Sequence, residues 1–208
     1  MVIAIDGPAG AGKSTVARAV AQRLGFTYLD TGAMYRSVGL RHAQAGGNAG
    51  HVAATISIEF EGERVLVDGE DVTEAIRTPE ASEAASHVAA DPKVRAALVA
   101  EQQRIVATGD WVAEGRDIGA VVAPDAAVKV FLTADPAERA RRRAAQHGLD
   151  PEAVLKDQQA RDERDNTANR ATLEPPKDAT PVDTTGLSLD EVVEQVVTLA
   201  IEAKEIQA

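Results

Sequence analysis

Cysteine is absent from the 208-residue chain, so it has no disulfide framework, no thiolate zinc site and no cysteine nucleophile. Surplus positive charge is missing too: 22 Lys and Arg stand against 33 Asp and Glu, a formal net charge of −11. This balance argues against binding bulk nucleic acid through a basic face, because neutralising a phosphate backbone takes clustered cations. A local basic pocket inside an acidic protein is still allowed. No apolar run is long enough to span a bilayer, and Met1-Val2-Ile3-Ala4-Ile5-Asp6 leads into folded-looking sequence without a basic-then-apolar leader. The expectation is a soluble, cytoplasmic protein with neither a membrane nor a nucleic-acid partner. What is present, 44% hydrophobic and 26% charged residues, is globular composition. At this length one α/β domain with room for a small inserted subdomain is expected.

Val2 to Ile5 is a short apolar run that stops at Asp6-Gly7-Pro8, which predicts a buried strand and a turn. Val16, Ala17, Val20, Ala21 and Leu24 recur at helical spacing, and Gly25 ends that helix at the C′ position. Phe26 to Leu29 reads as a second strand and Ala33 to Ala45 as a second helix. Strand and helix alternating at this pace predict parallel β-structure with crossover helices. Residues 55 to 72 break the rhythm, alternating apolar and polar positions around Glu61-Gly62-Glu63 as an antiparallel hairpin does. Thr78-Pro79 and Asp91-Pro92 each place an N-cap before a first-turn Pro and open two helices. Trp111 to Ala113 and Val128 to Leu132 return to buried strands. Asp135-Pro136 opens a further helix, with Glu138 expected to complete a capping box, and Gly148 stops it. Asp150-Pro151 starts another. Pro181-Val182 predicts a last strand, and Ser188-x-x-Glu191 a last capped helix. Between Lys156 and Asp178 the one large apolar residue is Leu173, so this segment is either solvated or closes over a ligand.

The pattern G-x-x-x-x-G-K-[ST] is met at every fixed position by Gly7-Pro8-Ala9-Gly10-Ala11-Gly12-Lys13-Ser14, with Thr15 following, between a predicted strand and a predicted helix. The glycines let successive N–H groups turn inward around a polyphosphate, and the helix N-terminus adds partial positive charge. Lys13 is expected to reach the β- and γ-phosphates and the Ser14 hydroxyl to ligate Mg²⁺. An N-K-x-D guanine reader is absent, which excludes a GTPase of the usual kind, and the chain is too short for the coupling domains of a motor or transporter. Arginines lie away from the cradle: Arg36, Arg116, Arg139, Arg141, Arg142, Arg143, Arg161, Arg164 and Arg170. Transfer between two phosphorylated partners has to hold acceptor phosphate against donor phosphate, and fixed cations offset that repulsion. The residues therefore point to a nucleotide or small-metabolite kinase. A UMP- or shikimate-type kinase and a regulatory ATP-binding protein are the alternatives they leave open.

The chain resembles bacterial cytidylate kinases along essentially its whole length. The matching pieces include Ile5 to Ser14, Leu29-Asp30-Thr31-Gly32-Ala33-Met34-Tyr35-Arg36, Ser86-His87-Val88-Ala89-Ala90, Pro92-Lys93-Val94-Arg95, Glu114-Gly115-Arg116-Asp117-Ile118-Gly119, Arg161-Asp162 with Asp165, and Asp183-Thr184-Thr185. The resemblance implies a monomeric enzyme that moves the ATP γ-phosphoryl to CMP or dCMP, with Mg²⁺. It implies a P-loop fold with a five-stranded parallel core at residues 1–36, 108–150 and 179–208. A nucleoside-monophosphate-binding insert would fill about 37–107, and a helical lid about 151–178. Carried over by position, Lys13, Arg116 and Arg161 are the catalytic residues. Thr31, Arg36, Ser86, Arg95, Arg116, Asp117, Arg161 and Asp165 are the acceptor contacts. Arg36, Arg116 and Arg161 would hold phosphate; Thr31, Ser86, Arg95 and Asp117 would read cytosine; Asp165 would face the sugar. The Arg139 to Arg143 run is open between a solvated helix face and an ATP-side contact. The family lid pattern Arg-Asp-x-x-Asp-x-x-Arg is broken: Ala168 stands where its last arginine is expected, and Arg170 follows two residues later.

Overall fold

A computed structural model describes residues 1–167, 175–176 and 178–207. They form two compact units, residues 1–29 with 106–208, and residues 30–105.

The first unit is built on a five-stranded sheet. Strand β1 (Val2–Asp6) is flanked on one side by β6 (Trp111–Glu114) and β2 (Thr27–Asp30), and on the other by β7 (Val128–Thr133) and β8 (Thr180–Asp183), in the order β2-β6-β1-β7-β8. The β1–β6, β1–β7 and β7–β8 pairs are parallel, with Ile5 level with Glu114 and Asp6 level with Phe131. Nearly all of β1 is buried, as in a sheet covered on both faces. On one face Ile3, Ile5, Val130, Leu132 and Val182 pack with Val16 and Val20 of α1 (Lys13–Leu24) and with Val192, Val193 and Val196 of α8 (Leu189–Gln207). Each fully buried aliphatic side chain contributes about 1.5–3 kcal/mol. The helical stripe read from the sequence is the buried face of α1: Val16, Ala17, Val20 and Ala21. Gly25 ends α1 in the left-handed region, its N–H bonding back to Ala21 O.

Two long helices, α6 (Pro136–His147) and α7 (Pro151–Thr167), pack through Ala140, Ala144 and Val154. Asp135 caps α6 by accepting from Ala137 N and Glu138 N. The expected return half of that capping box is not made. Asp135 N donates instead to Thr185 Oγ1 at 2.9 Å, and the Glu138 carboxylate is taken by Arg141 and Arg142. A tertiary acceptor and two guanidiniums outcompete the local bond. The Ser188–Glu191 box at α8 does form in both directions. Among the described residues no helix is long and apolar enough to cross a membrane.

The second unit contains α2 (Thr31–Ala45), α3 (Ala49–Thr55), a three-stranded antiparallel sheet β3 (Ile58–Glu61), β4 (Arg64–Val67) and β5 (Glu70–Asp71), then α4 (Pro79–Val88) and most of α5 (Pro92–Val106). The hairpin turns where the sequence predicts, and it gains β5; α3 is a helix the sequence reading did not contain. Asp30 caps α2 two residues earlier than expected, accepting from Ala33 N at 2.8 Å. Gly39 lets α2 cross α4 closely: a Cβ there would sit 3.0 Å from the backbone and Cβ of Ala84.

Candidate active site

The phosphate loop leaves the end of β1 and enters α1. Gly7 has φ +144°, and a Cβ on it would lie 2.1 Å from Leu132 O, so only glycine fits between the loop and β7. Gly12 stands in the left-handed region as the N-cap of α1, leaving the first helical N–H groups turned to the loop's concave side. Lys13 Nζ donates to Pro8 O at 2.8 Å, which holds its ammonium across the mouth of the loop.

Beside the cradle stands a carboxylate that the sequence reading passed over. Glu114 ends β6, is 5% exposed, and accepts from Ser14 Oγ at 2.5 Å and Tyr28 OH at 3.1 Å. Arg18 of α1 lies over the Tyr28 ring, 5.3 Å from its centroid. The signal was present as an apolar strand, Trp111-Val112-Ala113, ending in an acid. Its significance depends on β6 lying directly against β1, which no local pattern announces.

A second buried acid is Asp6, the last residue of β1, 3% exposed. Its two oxygens accept from Ile118 N and Gly119 N, each at 2.8 Å. Burial pushes its carboxyl up to about 6 against these two bonds, Asp117 adds to the push and Lys13 opposes it.

The arginine run on α6 divides by function. Arg139, 7% exposed, donates to Ala9 O at 2.9 Å and so braces the loop. Arg142 is fixed by Glu138 and by both the hydroxyl and the carbonyl of Thr184, at 2.9 and 2.8 Å. Arg141 pairs with Glu138 on the surface. Together with the loop, α6 and the residues from Thr184 to Val192 line a cleft of about 500 Å³, within the size range of small-molecule and cofactor sites. Its lining includes Arg141, Arg143 and Gln146 of α6 together with Leu187 and Leu189. The run is thus neither all solvated nor all directed at ligand.

Of the remaining expected site residues, Arg116 and Asp117 lie in the first unit, in the turn between β6 and a single π-helical turn, Ile118–Val122. Asp117 is 8% exposed. Thr31 and Arg36 lie on α2, Ser86 on α4 and Arg95 on α5. Thr31 and Ser86 are buried, and Arg36 Nη2 donates to Asp30 Oδ2 at 2.8 Å. Arg161 and Asp165 fall on α7, but their side chains lie outside the described residues, as do Ala168, Asn169 and Arg170 entirely.

The sequence matches the family described as cytidylate kinase over residues 3–202. It is 47% identical to the cytidylate kinase of Carboxydothermus hydrogenoformans, covering 93% of this chain and 94% of that protein. It is also 47% identical to that of Solibacter usitatus, covering 94% and 90%. A bifunctional pantoate ligase/cytidylate kinase of Prochlorococcus marinus is 48% identical, with 95% of this chain matching 44% of that protein. In fold, a gluconokinase from Sinorhizobium meliloti is similar across 99% of this chain and 95% of its own, with TM-score 0.55 at 18% identity. An intact phosphate cradle on a five-stranded parallel-core sheet and a family match over nearly the full length agree: the chain belongs to the cytidylate kinase family.

Proposed function

We propose that the enzyme transfers the γ-phosphoryl of ATP to CMP or dCMP, giving CDP or dCDP. The observation that carries the reading is the Ser14–Glu114 contact beside an intact cradle, in a chain matched to the family over residues 3–202. A hydroxyl and a carboxylate are hard oxygen donors and suit Mg²⁺, which keeps most of its waters and takes one or two protein oxygens. Ser14 and Glu114 would hold it; when bound it neutralises charge on the β- and γ-phosphates.

The chain's own residues then do positioning and charge stabilisation, with no covalent intermediate. The backbone N–H groups of residues 7–15, Pro8 excepted, cradle the donor phosphates, and Lys13 follows the transferring group. Arg36, Arg116 and Arg161 hold the acceptor phosphate. Asp117 accepts from the cytosine N4 amine, Thr31, Ser86 and Arg95 serve the other base atoms, and Asp165 faces the sugar. Residues 151–178 act as the lid over a core of 1–36, 108–150 and 179–208, and 37–107 as the acceptor-binding insert. The working form is a cytoplasmic monomer. ADP release across a panel of nucleoside monophosphates and shikimate tests the reading: CMP and dCMP should be turned over well above the rest. ATP turnover independent of any acceptor overturns it.

A further inference from the structure

We infer that Asp6 is a positioning residue for acceptor recognition: it pins the turn bearing Arg116 and Asp117 to the root of the phosphate cradle. The geometry is specific. Asp6 immediately precedes Gly7, and its two oxygens each take one backbone N–H, at 2.8 Å, from the two residues that directly follow Arg116-Asp117. Those N–H groups begin the π-helical turn Ile118–Val122, whose N-cap residue, Asp117, makes no capping bond with its own side chain. Asp6, at the end of β1, therefore supplies the side-chain cap that this turn's own N-cap residue does not. The turn packs directly on the cap: a Cβ on Gly119 would be in ordinary contact with Asp6 Oδ2, at 3.4 Å, and closer, at 3.2 Å, to Cγ and Cδ of Lys129. Lys129 itself, its side chain 9% exposed, ion-pairs with Asp178. Through these two bonds the carboxylate fixes the register of the turn. It sets which way residues 116 and 117 face relative to the loop that holds the donor.

Charged groups near Asp6 include Asp117 from the turn it caps and Lys13 from α1, with Lys129 of β7 packed against the same turn. Burial raises its carboxyl to about 6, above the ordinary 3.8. The sign of the consequence separates recognition from plain stability. A folded-state value above the unfolded one means the fold gains a proton first, so Asp6's own contribution to stability falls as pH rises from about 3.8 to 6. A proton on Asp6 removes one of its two acceptor positions, so its contribution to acceptor recognition runs the other way and is lost as pH falls through about 6.

This inference rests on the proposed roles of Arg116 and Asp117, and the experiment separates the two. Asp6→Asn keeps the shape but can accept only one of the two N–H groups. KM for CMP should rise about tenfold, equivalent to about 1.4 kcal/mol, with KM for ATP within about threefold. The ratio of wild-type to Asp6→Asn kcat/KM for CMP should fall as pH drops through about 6; the phosphate of CMP titrates nearby but cancels in the ratio. Gly119→Ala retains the carboxylate but crowds the turn between Asp6 Oδ2 and the Lys129 methylenes, and it should raise KM for CMP in the same direction by about threefold, which keeps the test open should Asp6→Asn not fold. Combined with Asp117→Asn, the Asp6→Asn effect should be less than additive. If Asp117→Asn leaves CMP and UMP discrimination unchanged, the assignment of Asp117 fails on its own account. If Asp117→Asn acts but Asp6→Asn and Gly119→Ala leave KM for CMP unchanged, or raise KM for ATP equally, the inference is overturned.

Discussion

Replacing Glu114 by Gln removes one negative charge and almost nothing else. The amide oxygen can still accept from Ser14 Oγ and Tyr28 OH, which now meet at Oε1 at 2.5 and 3.1 Å. The fold therefore keeps both bonds, although the one from Ser14 loses its charge assistance, roughly half its strength. A 5%-exposed carboxylate also has a desolvation cost that the amide escapes in part. These terms oppose each other, so stability should change by no more than about 1 kcal/mol, or about 2–4 °C in Tm for a chain of this size. Turnover should respond far more. Removing one preorganised electrostatic group from a phosphoryl-transfer site costs about 10²–10³ in kcat, equivalent to about 2.7–4 kcal/mol. The assay is ADP release at saturating CMP and ATP, repeated across a Mg²⁺ titration and paired with a thermal melt. Glu114→Gln should show the loss in kcat, a higher Mg²⁺ requirement, and KM for CMP within about threefold of wild type. A kcat within about threefold and an unchanged Mg²⁺ titration would refute the assignment of Glu114 to the donor side. A Tm fall beyond about 10 °C would instead make it structural.

Lys13→Ala should lower turnover more than tenfold, over about 1.4 kcal/mol of barrier, while CMP binding by calorimetry barely changes; a variant keeping more than a tenth of the rate has no need of that ammonium. Asp117→Asn should narrow the CMP/UMP ratio in kcat/KM, whereas Arg36→Ala should weaken both substrates alike; equal losses with Asp117→Asn would make its role structural. Gly39→Leu, which drives carbon into Ala84 at the α2–α4 crossing, should cost about 1–3 kcal/mol and lower Tm by several degrees, and an unchanged melt would show that the crossing can open without strain.

Local chemistry in the sequence was enough for the cradle, the caps and most elements. Gly7 to Thr15 reads as a phosphate loop because its glycines, lysine and serine are contiguous, and the caps at Thr78 and Gly25 are decided within one helical turn. The buried stripe of α1 follows from apolar spacing alone. The short strand β5 and the helix α3 escaped because two residues and seven residues carry too little pattern to register. The π-helical turn at Ile118–Val122 has no sequence signature at all.

Strand order was decided by tertiary structure, and with it the chemistry at the cradle's edge. Ser14 and Glu114 are 100 residues apart, and Asp6 stands 112 and 113 residues from the N–H groups it takes; both contacts exist because β6 pairs with β1. The same holds for Arg142 with Thr184, and for Thr185, which takes the Asp135 N–H that a local reading assigns to Glu138. The sequence by itself determined which groups are present, because propensity, periodicity and capping act over a few bonds. Which buried acid faces which hydroxyl or amide was left to packing, because burying Ile3, Ile5 and the facing valines of α1 and α8 sets the sheet, and the polar side chains are carried to wherever the strand ends fall.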